Sequence, residues 1–533
     1  MEKYKVKKWL IPLTVAAFSV AACDEKNNTQ TNVEKPTAQN EQLQKNPEIL
    51  PLVTVVAPWE LNSLDLNQSG VIFQRMNIAE TLVEANLEGQ LSEGLATKWM
   101  ANEDSSVWTF TLREAKFHNG QPLTAQAVEK SLKIALSKPS ILQKAFIKEI
   151  KALNSNQIQF ELTKSFVPFP SFLTHYTTLI LAEESFDEKG NVAQVIGTGA
   201  FKATKIEAPQ KLETLRFDEY WGNKPQLQQA NYLASSRSET RTLMAQSDKT
   251  ALVFNLDKAS VARLKADPNL QLINTSIART TQLKMDIAKP FFNDLAIRQA
   301  LSQAINRKAI AEQILKIQDG MADQILPKAF SEWRVNTTES HLSHEETIAK
   351  IKENLTASGY QYNAEGQLTK DDKPFTFTLK TYSDRPELPI IATILQAEWK
   401  KIGVDVNVSV GNFSEIPLGH QNGTLEMALY AFNYAKTLDP FALMVQDFAN
   451  GGSDWGVMNW RNENLDQALK KLETENDPEK AKQLKQQVSQ IIHDELPIIP
   501  IVYDQQTVVG HQGINGLTLD PFERRFYLEK LSK

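Results

Sequence analysis

Two histidines three residues apart, His341 and His344, stand beside Glu345 and Glu346. On one helical face that spacing would offer a divalent metal two nitrogens and two carboxylates. The same segment also reads as the start of a helix. Ser343 is a candidate N-cap with Glu346 three residues on, and acids in a first turn suit the positive end of a helix. We assign the cluster to capping and expect no metal there. His118, in the turn Phe117-His-Asn-Gly-Gln-Pro122, and His175, after Pro168-Phe-Pro-Ser-Phe-Leu173, are expected to pack. Gly197-Thr-Gly199 lacks the rest of a phosphate-binding loop. No nucleophile stands in a recognisable arrangement with a base, so an enzyme is not expected. No cofactor is expected either.

The composition narrows the classes further. The chain has 533 residues, with 58 Lys+Arg against 64 Asp+Glu and a net charge of −6. A general nucleic-acid binder would be basic, so no nucleic-acid partner is expected. An apolar content of 41% excludes disorder over most of the length. At this size more than one domain or lobe is expected. The single cysteine, Cys23, rules out an intrachain disulfide and any cysteine-built zinc or iron–sulfur centre.

The position of Cys23 carries its own chemistry. Residues 1–8, MEKYKVKK, are basic, and residues 9–22, WLIPLTVAAFSVAA, are apolar and then small. That is the layout of a secretory signal, and it is shorter than the about 20 residues of a spanning helix. Val20-Ala-Ala-Cys23 resembles a bacterial lipobox. Residues 1–22 are therefore expected to be removed, with Cys23 as the lipid attachment point. Residues 23–49 are polar and read as a flexible tether. Asp24 resembles the inner-membrane retention signal of enteric-type lipoproteins, which places the chain on the periplasmic face of the inner membrane. No later run reaches spanning length.

Beyond the tether the periodicity is mixed α/β. Leu52–Ala57, Val107–Leu112, Gln157–Leu162, Phe375–Leu379 and Pro497–Val502 read as strands. Thr124–Leu136, Leu295–Leu315, Leu388–Lys401 and Asp477–Leu496 read as helices, as does the segment from Ser343 to just before Gly359.

Several separated segments resemble the large solute-binding proteins that serve peptide and nickel ABC importers. They include Leu91-Ser-Glu-Gly-Leu-Ala-Thr-Lys-Trp99, Ile196-Gly-Thr-Gly-Ala-Phe201 and Phe217-Asp-Glu-Tyr-Trp-Gly-Asn-Lys-Pro225. Farther on come the segment from Pro290 to Ile305, Leu395-Gln-Ala-Glu-Trp-Lys-Lys-Ile-Gly403 and Asp439-Pro440. The resemblance runs in family order from about Leu52 to about Leu528. It implies a two-lobed α/β fold of the type II periplasmic-binding-protein class, with the ligand cleft between the lobes. Residues 50–280 plus 505–533 would form one lobe and residues 281–504 the other. Crossovers would fall near Thr281–Asp286 and Ile498–Asp504. The implied partners are a small solute or peptide and an ABC permease, and a monomer is expected. The rival on the same scaffold is an envelope enzyme or a chaperone.

The resemblance also frames the site. Peptide binders of this family hold the peptide ammonium with an aspartate a few residues before an Asp-Pro or Glu-Pro pair. Here no acid lies between Met427 and Leu438, and the one charge is Lys436. An anionic or blocked ligand is therefore expected. Nickel-type members use arginines and a loop histidine, but Met444–Asn459 has no histidine. The stretches that correspond to those arginines, Ser137–Leu142 and His175–Thr178, contain no arginine. Direct nickel ligation is not expected, whereas a preformed chelate or another anion stays open, with Lys436 or Lys133 supplying charge. Aromatics at strand ends and in the glycine-rich loop Ala449–Trp455 offer broad apolar contact with a polar handle. The expected ligand contacts are Trp59, Asn433, Tyr434, Lys436 and Trp455, with Trp460 a further aromatic of interest.

Overall fold

Leu52–Ala57 (β1) is apolar and β-branched without alternation, and it lies between two parallel neighbours inside a sheet. The computed structural model describes residues 51–337, 341–383, 385–435 and 437–533. The signal, Cys23, the tether and Lys436 lie outside the described residues. The other strands needed for the site are Ala96–Ala101 (β2), Val107–Leu112 (β3), Ile147–Ala152 (β4), Gln157–Leu162 (β5), Phe201–Glu207 (β6), Lys211–Arg216 (β7) and Gln229–Ala234 (β8). They continue with Ala251–Phe254 (β9), Leu270–Met285 (β10), Thr376–Tyr382 (β11), Asp405–Gly411 (β12), Met427–Asn433 (β13) and Ile498–His511 (β14). Ten of them form one mixed sheet in the order β12-β11-β13-β10-β14-β9-β1-β8-β7-β6. Strands β2-β3-β5-β4 form a separate antiparallel sheet. There the expected alternation buries Trp108, Phe110 and Leu112 against Ile158, Phe160 and Leu162.

The large sheet is really two sheets joined by two long strands. β10 has 16 residues and β14 has 14, against about 5–6 for an ordinary strand. They pair from Leu270↔His511 to Ser276↔Gln505 and again from Thr280↔Tyr503 to Lys284↔Ile498, with the register broken between. β9 joins β14 on one side of that break, and β13 joins β10 on the other. The sequence reading stopped the last strand at Val502. Asp504-Gln-Gln506 looks like a loop, but it continues the strand past the break.

The glycines of Ile196–Phe201 are structural. A Cβ on Gly197 would sit 2.2 Å from the Ile78 carbonyl oxygen, and one on Gly199 would sit 2.1 Å from that of Asn77. The adjacent Thr198 hydroxyl, the Tyr220 hydroxyl and the Trp221 indole N–H each reach the carboxylate of Glu80 at 2.9 Å. Two of the segments that carried the resemblance are thus tied together by one buried acid. Asp439 does similar service. It accepts the Phe441 N–H where the helix Phe441–Phe448 begins and accepts from Trp333 Nε1, and its other oxygen meets Lys485 Nζ at 2.9 Å.

The helices follow their signals, with one exception. Thr124 caps Ala125–Ser137, Asp477 caps Pro478–Glu495, and the Ser343/Glu346 capping box opens His344–Ala357. His344 Nε2 lies 2.6 Å from Glu398 Oε2, in keeping with a structural role for this histidine. Leu295–Leu315 is not one helix, however. The α-helix stops at Gln303 and a π-helical turn runs from Ala309 to Ile314. Asn306 Oδ1 accepts the Ala309 N–H, while the Arg307 guanidinium donates to the Ser302 and Pro500 carbonyls. Side-chain bonds, one local and one to a distant strand, serve backbone groups there in place of the helical ladder.

Candidate functional site

In open α/β sheets ligands bind outside the carboxyl ends of the parallel strands. β1, β8 and β9 end at Ala57, Ala234 and Phe254, and β11, β12 and β13 end at Tyr382, Gly411 and Asn433. The pairings direct both sets toward the break between Ser276 and Thr280. At that point side chains of alternating charge meet. Arg75 Nη2 lies 3.9 Å from Glu523, Arg279 lies 2.9 Å from Glu523 and 3.7 Å from Asp504, and Arg385 lies 3.3 Å from Asp504 and 3.2 Å from Glu387. The arginine side chains are 9%, 17% and 32% exposed in that order. Arg385 is therefore the one best placed to exchange a protein carboxylate for a ligand group.

Aromatic rings flank the network. The Arg75 guanidinium lies 4.2 Å from the Trp59 ring, whose backbone carbonyl accepts from Tyr232 OH. On the other side Trp455 stacks on Phe413 at 4.5 Å and 25°, and Phe413 meets Tyr382 edge-on at 5.2 Å. Phe413, just past the end of β12, is 45% exposed, a large apolar ring left in solvent. Away from the break the halves also touch. Val167 N–H donates to Glu473 O at 2.8 Å, Lys164 Nζ pairs with Glu473 at 2.7 Å, and Ser105 donates to Asn476 Oδ1 at 2.9 Å.

The loop that carries Trp455 is pinned to the sheet by buried polar groups. Tyr430 OH donates to the Trp455 carbonyl, and Lys284 Nζ donates to the Asp454 carbonyl at 2.6 Å with His420 Nδ1 at 3.0 Å. Burial lowers the Lys284 ammonium to about 7, against the pull of Asp447 and Asp454. The unfolded chain holds this proton up to about 10.5. Between those values the unfolded state binds more protons, so stability rises with pH through this window. The rise between about pH 7.5 and 9.5 should be about 2 kcal/mol. Lys284→Met should flatten it, as urea melts at both pH values would show. The same rise in both proteins would clear Lys284 of any role in it.

Of the residues chosen from sequence, Trp59 is half-buried against Arg75 of the charged network, and Trp455 is half-buried against Phe413. Asn433 ends β13 opposite Arg279, and its Oδ1 accepts the Ala435 N–H. Tyr434 is 1% exposed and donates its hydroxyl to Gln282. Trp460 is in the core, bonded to Glu495. His118 is half-buried against the Gly199 carbonyl, and desolvation lowers it to about 4. Arg75, Arg279, Arg385, Asp504 and Glu523 were not singled out from sequence. The one local signal was Asp504 interrupting an apolar strand.

A family model described as bacterial extracellular solute-binding proteins, family 5, matches residues 90–455. The nickel-binding periplasmic protein of Escherichia coli K12 is 23% identical over 497 residues, covering 90% of this chain and 94% of the relative. The dipeptide-binding protein of the same strain is 21% identical over 465 residues, covering 81% and 85%. Among solved structures, the nickel ABC transporter protein of Bacillus halodurans superposes with a TM-score of 0.79 at 23% identity, over 91% of this chain and 100% of that one.

Proposed function

The chain belongs to the bacterial extracellular solute-binding proteins of family 5, and from that premise we propose that it captures a small solute between two lobes and hands it to an ABC importer. Residues 50–280 plus 505–533 make one lobe and residues 281–504 the other, and the break in β10 and β14 is the pivot. One observation carries this reading. The carboxyl ends of both sets of parallel strands converge on a charged, aromatic-flanked seam crossed by two long strands. Trp59, Trp455 and Arg385 are the contacts we assign to the solute, with Asn433 and Tyr434 shaping the wall and Lys436 adding positive charge. An anionic, peptide-like or chelate ligand fits that set, and the relatives named above bind nickel and dipeptides.

Direct competition tests the charge assignment. N-acetylated dipeptides should bind more tightly than free-amine copies, and Lys436→Asp should reverse the order. A parent protein that prefers free amines would remove Lys436 from the site. Bare Ni²⁺ should give no saturable heat at micromolar levels in tag-free protein, and a stoichiometric site for the ion would contradict this.

We assign Cys23 as the lipid anchor on the periplasmic face of the inner membrane. Among the described residues no helix is long and apolar enough to cross a membrane, and a lipid would hold the chain without a span. Cys23→Ser should leave unprocessed or soluble protein. A variant that stays in the membrane fraction with a normally cleaved N-terminus would refute the anchor.

A further inference from the structure

Asp504 sits in the register break. Tyr503 pairs with Thr280 and Gln505 with Ser276, so Asp504 has no partner on β10 in that register. Three side chains reach its carboxylate, and none closely. Arg385 Nη1 lies 3.3 Å and Arg279 Nη1 lies 3.7 Å from Oδ2, and Thr281 Oγ1 donates to Oδ1 at 3.4 Å. A settled guanidinium–carboxylate bond is about 2.7–2.9 Å long. Arg279 Nη2 reaches that length on Glu523, at 2.9 Å. Asp504 is thus shared between two arginines and held tightly by neither.

Arg385 is shared as well. It stands between the end of β11 at Tyr382 and the helix Glu387–Lys400. Its Nη1 also donates to Glu387 Oε1 at 3.2 Å, whereas Nε and Nη2 bond to none of the described residues. A solute carboxylate arriving there would be the third acid around one guanidinium charge. Crowded acids repel one another, and the one with a second cation to go to leaves most easily. That acid is Asp504. Among the described residues Glu387 has no ion-pair partner but Arg385, while Asp504 also has Arg279.

We propose that Asp504 is a built-in competitor for the solute's carboxylate, displaced from Arg385 when the solute binds and taken up by Arg279 across the register break. It sets the affinity for carboxylate solutes without touching them. It also ties their capture to the pivot, because Arg279 lies on β10 and Asp504 on β14. Glu387, two residues from Arg385 in the chain, stays and positions the guanidinium. The proposal rests on the assignment of Arg385 to the solute and names the exchange that this assignment requires.

Calorimetry on the full chain tests it, with N-acetyl-alanyl-alanine and its C-terminal amide as probes. The parent should bind the acid more tightly than the amide. Asp504→Asn should tighten the acid about tenfold and leave the amide unchanged. Glu387→Gln removes the same charge from the same Nη1 but frees no competitor, so it should tighten the acid by much less. Arg279→Met takes away the cation that receives Asp504. It should weaken the acid about tenfold in the parent and have no further effect in Asp504→Asn. If Arg279→Met fails to fold, the contrast between Asp504→Asn and Glu387→Gln decides alone. Unaltered or weaker binding of the acid by Asp504→Asn overturns the proposal, as does an equal gain in Glu387→Gln or a gain shared by the amide. So does absence of saturable heat from the acid at millimolar concentration in both the parent and Asp504→Asn. An acid that compacts the parent yet binds Asp504→Asn with the parent's affinity sinks the exchange and leaves the solute-binding reading standing. Tightening by Asp504→Asn without compaction keeps the exchange and removes lobe closure.

Discussion

Glu80→Leu should destabilise the protein by about 3–5 kcal/mol, the range for breaking a buried charged network by removing one partner. The side chain is 2% exposed and accepts from Thr198, Tyr220 and Trp221. Leucine would leave three donors buried without an acceptor and would take a carboxylate from the field of Arg525. Burial pushes the Glu80 carboxyl up from 4.5, against Arg525 and the three donors. The folded state thus binds this proton more readily than the unfolded state, and stability falls as pH rises from about 4.5 through the folded value. Glu80→Gln keeps an acceptor oxygen and similar volume, so it should cost about 1–2 kcal/mol and abolish that fall. Denaturant titrations of the three proteins measure both effects. A leucine variant within about 1 kcal/mol of the parent would show that the cluster is not what ties the two motif segments together.

Arg279→Met should be almost as damaging. Arg279 stands between Glu523, whose side chain is 3% exposed, and Asp504 at the register break. Without it Glu523 keeps Arg75 and Asp504 keeps Arg385 as ion-pair partners among the described residues. The expected loss is about 3 kcal/mol, and Arg385 should be held more tightly to Asp504 and be less free for solute. Adding Asp504→Asn removes one stranded charge, so the double variant should be more stable than the single one, the non-additivity expected of contacting partners. A single variant within about 0.5 kcal/mol of the parent, the range of neutral surface changes, would show the seam to be a solvated set of independent charges.

What was legible in the sequence was what local physics dictates. β1, β3 and β5 fall where apolar runs and alternation place them, and Thr124, Ser343 and Asp477 start their helices. β10 was hidden because Asn274-Thr-Ser-Ile-Ala-Arg-Thr-Thr-Gln282 carries polar residues across the middle of the molecule, where the sheet is broken and charged. Its partners lie more than 140 residues away, for instance Tyr430 on Gln282, so no short window reveals the pairing. The same distance hid the seam, since Arg75 and Glu523 are 448 residues apart. Trp59 and Trp455 could be proposed from the sequence because a strand end and a glycine-rich loop are local features. Tyr434 shares the strand-end position but turns its hydroxyl inward to Gln282, a choice that depends on a neighbouring strand.

Small-angle scattering during titration with dipeptides and a nickel–histidine complex tests solute capture most directly, on protein unfolded and refolded to strip any co-purified ligand. One of these probes should lower the radius of gyration along a saturable curve. The same probe should raise the melting temperature, by the equivalent of about 2.7 kcal/mol at a hundred times the dissociation constant. A radius of gyration that stays constant while calorimetry shows the probe bound would contradict closure of two lobes around a solute.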